Sequence, residues 1–585
     1  MERRPPLAKR ACVRLTARAM SENDHRPSQP RVPTLVLNFG QSVLRSLDDY
    51  RLAAAEIYRH YRRGYNIVAV TSAQGDQSDM LMAEARRVGP GEAAHNLGEL
   101  LQLGERRSAA LLALALERIG ASAFVRQARD LGLRARAGTA GQGELTDMDV
   151  DALLNDLRNH DIIVMPGYVG IGEKDRPVLL GDGGADFTAL YVAERLGVEA
   201  RLLKDVDGVY EADPKSGGAP KRYDAISWGD ALERAGVLIE PKALEFARQR
   251  KLVFTVGKPG VAAATRVGPE TQPPRPAQPP RRLRIAMMGL GVVGGGVYRR
   301  LLDTPERFEI VRIQTRNPDK YVAQKYPADI LTSEFDDLLA AKPDIFIDVA
   351  GTVEPALSRT RTMLENGVAV VSANKQAIAA GGPELLDFAR AKGVPLRFSA
   401  AAGGGMPILE MMEREHGRIA SVEALLNGTT NYMLDRISAG VPYADALQEA
   451  QDKGFAEADP TADVDGLDAA AKIRLVALLG FGEDLPIEDI PRETIRDFDR
   501  VAANGAWKRI ARVWRDDVTG FHAALELRDL SPASFMAQAD AEEAHAEVEF
   551  TDGERFRIQG KGAGRWPTTA SVMADVFDIA GGLGG

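Results

Sequence analysis

Cysteine is almost missing: the 585 residues include one, Cys12. A lone thiol excludes an intrachain disulfide and any multi-thiolate metal site, so no metal centre is expected and a reducing compartment suits the chain. Long apolar runs are absent too, none approaching the roughly 18 residues of a membrane-crossing helix. The expectation is a cytoplasmic protein with no membrane partner. Nor does charge of one sign dominate. With 74 Lys and Arg against 83 Asp and Glu, the net charge of -9 offers no global field for nucleic acid. What is present is ordinary for globular chains: 45% hydrophobic and 27% charged residues, which exclude wholesale disorder. A length of 585 residues asks for about three or four domains.

Residues 1–30 carry seven basic residues against three acids and no periodic apolar face, which predicts a disordered extension. Pattern starts at TLVLNFG, Thr34 to Gly40, an apolar strand stopped by glycine and followed by a helical stretch. NIVAV from Asn66 repeats the design, and the alternation runs to VFTVG at Val253. It predicts an α/β unit with a largely parallel sheet over 31–265. Six of the twelve residues Pro269 to Pro280 are proline. Their fixed φ and missing N–H predict an extended linker over 266–282. Strand, glycine turn and helix then restart at LRIAMMGLGVVGGGVYRRLL, and strands recur at FEIVRIQT, DIFIDVA and VAVVSAN, a second α/β unit.

Gly289, Gly291 and Gly294, with Val292 and Val293 between them, form GLGVVG after a strand and at the opening of a helix. Backbone amides and a helix N-terminus there suit a dinucleotide pyrophosphate. At the end of the next strand, where an acid would grip a ribose 2'-hydroxyl, stand Thr315, Arg316 and Asn317, with Lys320 nearby. A basic pair favours a 2'-phosphate and so NADP; a solvated basic turn is the plain alternative. Farther on, Asp468 and Lys472 lie four apart in a helical stretch and share one face, either a surface salt bridge or a proton-handling pair.

SANK (Ser372 to Lys375), NGTTNYML (Asn427 to Leu434), AQDKGFAEADPTADVDGLDAAAK (Ala450 to Lys472) and GKGAGRWPTTASVMADVFDI (Gly560 to Ile579) together resemble homoserine dehydrogenase, from about Leu283 onward. The resemblance implies a Rossmann NADP-binding domain over 283–400, rejoined by about 555–585, and an α+β substrate domain over 401–554. It implies interconversion of aspartate 4-semialdehyde and homoserine, on the branch to threonine and methionine. Lys472 would be the proton donor in reduction, with Asp468 orienting it or holding a water and Lys375 near the nicotinamide. Glu457 and Asp463 would receive the substrate ammonium, with Gly428, Thr429 and Thr430 at its polar end; Thr429 and Thr430 could also start a helix at Asn431, a role compatible with substrate contact. Gly351, Thr352, Gly560 and Gly562 are carried to the cofactor, and a homo-oligomer, dimeric through this half, is implied. The residue types fit: aldehyde reduction needs a hydride donor, a proton donor and counter-groups for an ammonium and a carboxylate. One departure stands out. The family's Glu before GGGxP, which helps hold a monovalent cation, is replaced in SAAAGGGMP by Ser399, and this argues against a sodium site.

MPGYVG (Met165 to Gly170), GDGGADFTAL (Gly181 to Leu190), KDVDGVYEADPK (Lys204 to Lys215) and EPKALEFA (Glu240 to Ala247) resemble aspartate kinase over about 31–265, and GERRS with Glu105 is similar to its substrate segment. ATP binding through Lys204, Asp205, Asp207 and Gly208 is implied, a bare strand-to-turn corner being the structural alternative. The family's KFGGTS, whose lysine faces the transferring phosphoryl group, is here NFGQS with Asn38. Its GRGGSD is here Gly181 to Asp186, with Asp182 in the arginine's place. Each lost charged contact costs a few kcal/mol of transition-state stabilisation, so an inactive kinase is expected. The unit runs straight into the proline linker, with no room for small regulatory domains. Two alternatives stay open: a fully bifunctional aspartate kinase/homoserine dehydrogenase, and a first half that is a non-catalytic nucleotide-binding regulatory or assembly module.

Overall fold

The computed structural model describes residues 32–583 apart from 90–93, 139–141, 216–217, 235–237, 278–280, 504, 517 and 519. The expected extension over 1–30 and Cys12 lie outside the described residues. None of the described helices is long and apolar enough to cross a membrane.

The run TLVLNF of Thr34–Phe39 is buried along its whole length. Side chains alternate across a strand, so Val36 enters one core with Phe187 and Leu190, while Leu35, Leu37 and Phe39 enter another with Ile57 and Tyr58. Burial on both faces is what an unbroken apolar run codes for in a parallel sheet. This strand sits inside an eight-stranded sheet, paired in parallel with Asn66–Thr71 on one side and Glu199–Leu203 on the other. Among the described residues, only Phe254–Gly257 with Ala264–Gly268 is antiparallel in that sheet.

The proline stretch is not a free spacer. Arg275–Pro276 pairs with Lys221–Arg222, the Gln272 amide donates to Ala225 O, and the Thr271 hydroxyl accepts from the Ser227 amide at 2.8 Å. Proline keeps its carbonyl and an extended φ, so it can lie along a sheet edge as an acceptor.

The second α/β unit is a six-stranded, wholly parallel sheet. Its spatial order is Leu331–Thr332, Phe308–Gln314, Leu283–Met288, Ile345–Asp348, Ala369–Ser372, Leu396–Arg397. The order reverses beside Leu283–Met288, and a crevice for a ligand opens at that switch point, beyond the strand ends. A third unit is a five-stranded antiparallel sheet centred on Ile419–Ala424, with helices Gly428–Ser438 and Leu467–Phe481 packed against it. Arg555–Lys561 is an edge strand of this sheet, so the return to the parallel unit starts only at helix Arg565–Leu583. That helix sends Val572, Met573, Val576 and Ile579 into the parallel sheet's core.

The halves share a buried seam. Arg62, at the end of helix Asp49–Tyr61, donates to Asp575 at 2.6 Å and Asp578 at 2.9 Å and lies 3.4 Å from Glu410. Burial works against its charge, but the three carboxylates outweigh it and raise its pKa further. Trp566 sits between Arg118 and Arg300, and Phe577 meets Arg59 and Gly260.

Candidate active site

The starts of three helices build the site. Asn374 caps helix Lys375–Lys392 by accepting from the Ala377 amide, which fixes Lys375 at the helix start, just beyond strand Ala369–Ser372. Asn427 caps helix Gly428–Ser438 by accepting from the Thr430 amide at 2.9 Å. Gly466, at φ 81°, opens helix Leu467–Phe481 and puts Asp468 in its first turn, where the helix dipole favours a carboxylate.

Asp468 is the centre. Its Oδ1 is 2.6 Å from Lys375 Nζ and its Oδ2 is 2.9 Å from Lys472 Nζ. Asn427 Nδ2 bridges Asp468 at 3.1 Å and Asp463 at 2.6 Å, and Lys472 also donates to Leu426 O at 2.5 Å. Burial alone would raise the Asp468 pKa, yet the two ammonium groups hold it well below the usual carboxylate range. Lys375 is raised in turn: burial disfavours its charge, and Asp468, Asp463 and Glu457 more than offset that. A surface salt bridge is therefore the wrong description of Asp468 and Lys472; both are buried.

The other candidates divide. Asp463 joins the cluster, whereas Glu457 is exposed and reaches Lys375 only through its charge. Thr429 and Thr430 are buried, with the Thr429 hydroxyl donating to Phe455 O and the Thr430 hydroxyl to Asn427 at the head of the helix, where the sequence allowed a helix start. Gly428 begins the same helix, with the Glu542 backbone 3.3 Å from any added Cβ. Two residues escaped the sequence reading. Asn427 carried a signal, as the polar residue heading NGTT. Arg509, buried and donating to Val464 O and Asp463 O at 2.8 and 2.5 Å, carried none, since a lone arginine in a strand has no spacing to read. Burial draws its pKa down to about 10 against the pull of Asp463 and Asp468.

At the sheet's switch point the glycine turn fits a dinucleotide. A Cβ on Gly289 would come within 2.8 Å of Val349 O, and one on Gly294 within 2.4 Å of Gly289 O, while nothing lies within 4 Å of Gly291. Val292 is exposed and Val293 half-buried at the opening of the helix, whose first-turn amides have no partner within the helix. Arg316 and Lys320 are exposed beyond strand Phe308–Gln314, and neither has an ion-pair partner among the described residues. Gly351 and Thr352 are exposed beyond Ile345–Asp348, and Thr352 O accepts from Asn374, tying that loop to the start of the Lys375 helix. Gly560 and Gly562 are placed differently. Gly560 packs on Gly120 O and Met406, and Gly562 on Ala544, contacts at or near the seam with the first half that involve no residue of the 289–294 turn. Ser399 turns its hydroxyl to Asp575 at 2.8 Å, and the described residues hold no cluster of His, Cys, Asp and Glu fit for a metal ion.

The family model for homoserine dehydrogenase matches residues 407–577, and the model for its NAD-binding domain matches 289–399. A homoserine dehydrogenase of Synechocystis sp. is 35% identical over 320 residues, which is 51% of this chain and 73% of that one. This chain belongs to the homoserine dehydrogenase family. A Bacillus subtilis homoserine dehydrogenase is 33% identical over 318 residues, 51% of this chain and 73% of its own. A solved homoserine dehydrogenase from Thiobacillus denitrificans is 31% identical, covers 52% of this chain and 74% of its own, and has a TM-score of 0.48. Ahead of the dehydrogenase, residues 33–256 match the amino acid kinase family, so the order of units is that of a bifunctional aspartate kinase/homoserine dehydrogenase.

In the kinase-like half of the chain, a cavity of about 530 Å³ is lined by Gly40, Glu105, Asp182, Asp186, Lys204 and Glu240, among others. Glu105 is buried with one oxygen unpartnered, and burial pushes its carboxyl up to about 8. Of the four nucleotide candidates, Lys204 and Asp205 line this cavity. Asp207 is held by Arg222 and Tyr210, and Gly208 is pressed on Thr265, so these two form the corner itself.

Proposed function

We propose that the chain interconverts aspartate 4-semialdehyde and homoserine with NADP, and that its kinase-like half does not phosphorylate aspartate. The observation that carries the dehydrogenase chemistry is Asp468 held between two lysines, Lys375 from the end of the parallel sheet and Lys472 from the substrate unit. When bound, the nicotinamide supplies or accepts the hydride. Lys472, buried and bonded to Asp468 and Leu426 O, has a third N–H free to reach a carbonyl oxygen and passes the proton. Asp468 fixes both ammonium groups, and its charge raises the pKa of Lys375. Lys375, partly open, stands between cofactor sheet and substrate. Asp463 and Glu457 supply negative charge for the substrate ammonium.

NADP preference rests on Arg316 and Lys320. Arg316→Ala raises KM for NADP about tenfold or more, the worth of a charge-assisted hydrogen bond, and leaves KM for NAD unchanged. Equal effects on both cofactors would refute the assignment.

Loss of phosphoryl transfer rests on Asp182. With Glu240 it adds carboxylate to the cavity wall, while Asp186 is paired with Lys204; burial, Asp182 and Asp186 together raise Glu240. A dicarboxylate meets like charge there. The expected yield of aspartyl hydroxamate from ATP, aspartate and hydroxylamine is about 100-fold or more below an ordinary kinase rate; an ordinary rate would overturn this reading. A second reading, the half as a nucleotide-binding regulatory module, is favoured by one observation. A cavity of about 390 Å³ is lined from both halves, by Lys204, Asp205 and Lys258 on one side and Asp303, Glu306 and Phe577 on the other.

A further inference from the structure

We infer that Lys204 is the phosphate-facing cation of the kinase-like cavity, supplied from a neighbouring strand because position 38 is neutral. The inference rests on the reading that this half binds a nucleotide. Strand Thr34–Phe39 runs parallel to Glu199–Leu203, with Asn38 opposite Leu202 and Phe39 opposite Leu203. Lys204 follows directly, and its Nζ reaches across to within 3.8 Å of a Cβ built on Gly40. It donates to both oxygens of Asp186, at 3.0 and 2.7 Å, while Asn38 Nδ2 donates to the same Oδ1 at 2.5 Å. One buried carboxylate is thus approached by a neutral amide from one strand and an ammonium from the next.

The charges explain the pairing. Asn38 is fully buried and Asp186 is 4% exposed. A lysine at 38 beside Lys204 would put two ammonium groups on one desolvated acid, with one charge left over and its desolvation unbalanced. With Asn38 the count closes. The positive charge of this corner has moved strands and has not been lost. An ammonium carries three donors, and Asp186 takes two of them. Lys204, with Ser42 and Asp205, lines both the 530 Å³ and the 390 Å³ cavity, so its remaining donor stands where a chain of phosphates would pass between them. The ligand class is a nucleoside polyphosphate with its magnesium ion. The inference concerns binding and needs no transfer step.

The test is calorimetric titration of the full chain with MgATP, with homoserine oxidation as the check on folding. Lys204→Met alone strands the buried Asp186, so the informative variant is Asp186→Asn/Lys204→Met, which removes both charges together. Its MgATP affinity is expected to fall about tenfold or more, as for a lost charge-assisted phosphate contact. Asn38→Lys/Lys204→Met returns the lysine to the first strand and is expected to regain affinity to within a few-fold of the natural chain. Unchanged affinity in the neutral pair, or no recovery in the swap, overturns the role of Lys204 alone. A natural chain that takes up no MgATP overturns the nucleotide reading, and this inference with it.

Discussion

Lys472→Ala lowers kcat for homoserine oxidation by about 100- to 10,000-fold, the usual range for removing a positioned proton-transfer group. Lys472 is 7% exposed and its Nζ is committed to Asp468 and Leu426 O, so it has no freedom to act as a general surface charge. The variant keeps Asp468 paired with Lys375. The glycine turn at 289–294 belongs to another unit, so NADP affinity stays near its natural value. Those two readouts separate chemistry from collapse. A fall in cofactor affinity matching the fall in kcat would mean that Lys472 is structural.

Arg62→Met is the second large effect, on stability. The Arg62 side chain is 4% exposed and Asp575 is fully buried, and Glu410, which burial pushes up to about 7 against the pull of Arg62, lies in the same seam. Taking one partner from a buried ion pair leaves an uncompensated charge and costs about 3–5 kcal/mol. Arg63, 46% exposed, also bonds Asp578, but solvent screens it, and Arg63→Ala is expected to cost about 1 kcal/mol or less. Denaturant midpoints of the two variants check the contrast. Equal shifts would show that burial does not set the strength of this seam.

The two α/β units were legible because a parallel sheet with both faces covered leaves apolar runs that nothing else explains, as in TLVLNF and in the strand before GLGVVG. Lys375, Asp468 and Lys472 were each legible by motif, but their meeting was not. Lys375 and Asp468 belong to different units, and no helical or strand period connects them. For Thr429 and Thr430 both a helix start and a substrate contact were legible, and the hydroxyls' partners, Phe455 O and Asn427, were not, because the sequence does not show them. Arg62 was invisible for a related reason: at a helix end, basic residues read as solvated. The proline stretch suggested separation and instead lies along the first unit. Asn38 read as a missing charge because compensation from the adjacent strand depends on register, Asn38 against Leu202, which one chain segment cannot display.

The most direct measurement is the initial rate of NADP reduction by the purified full chain with homoserine as the sole alcohol. Turnover that needs both homoserine and an intact Lys472 is the result this account predicts. A chain that binds NADP at the glycine turn and yet leaves homoserine unoxidised would contradict it.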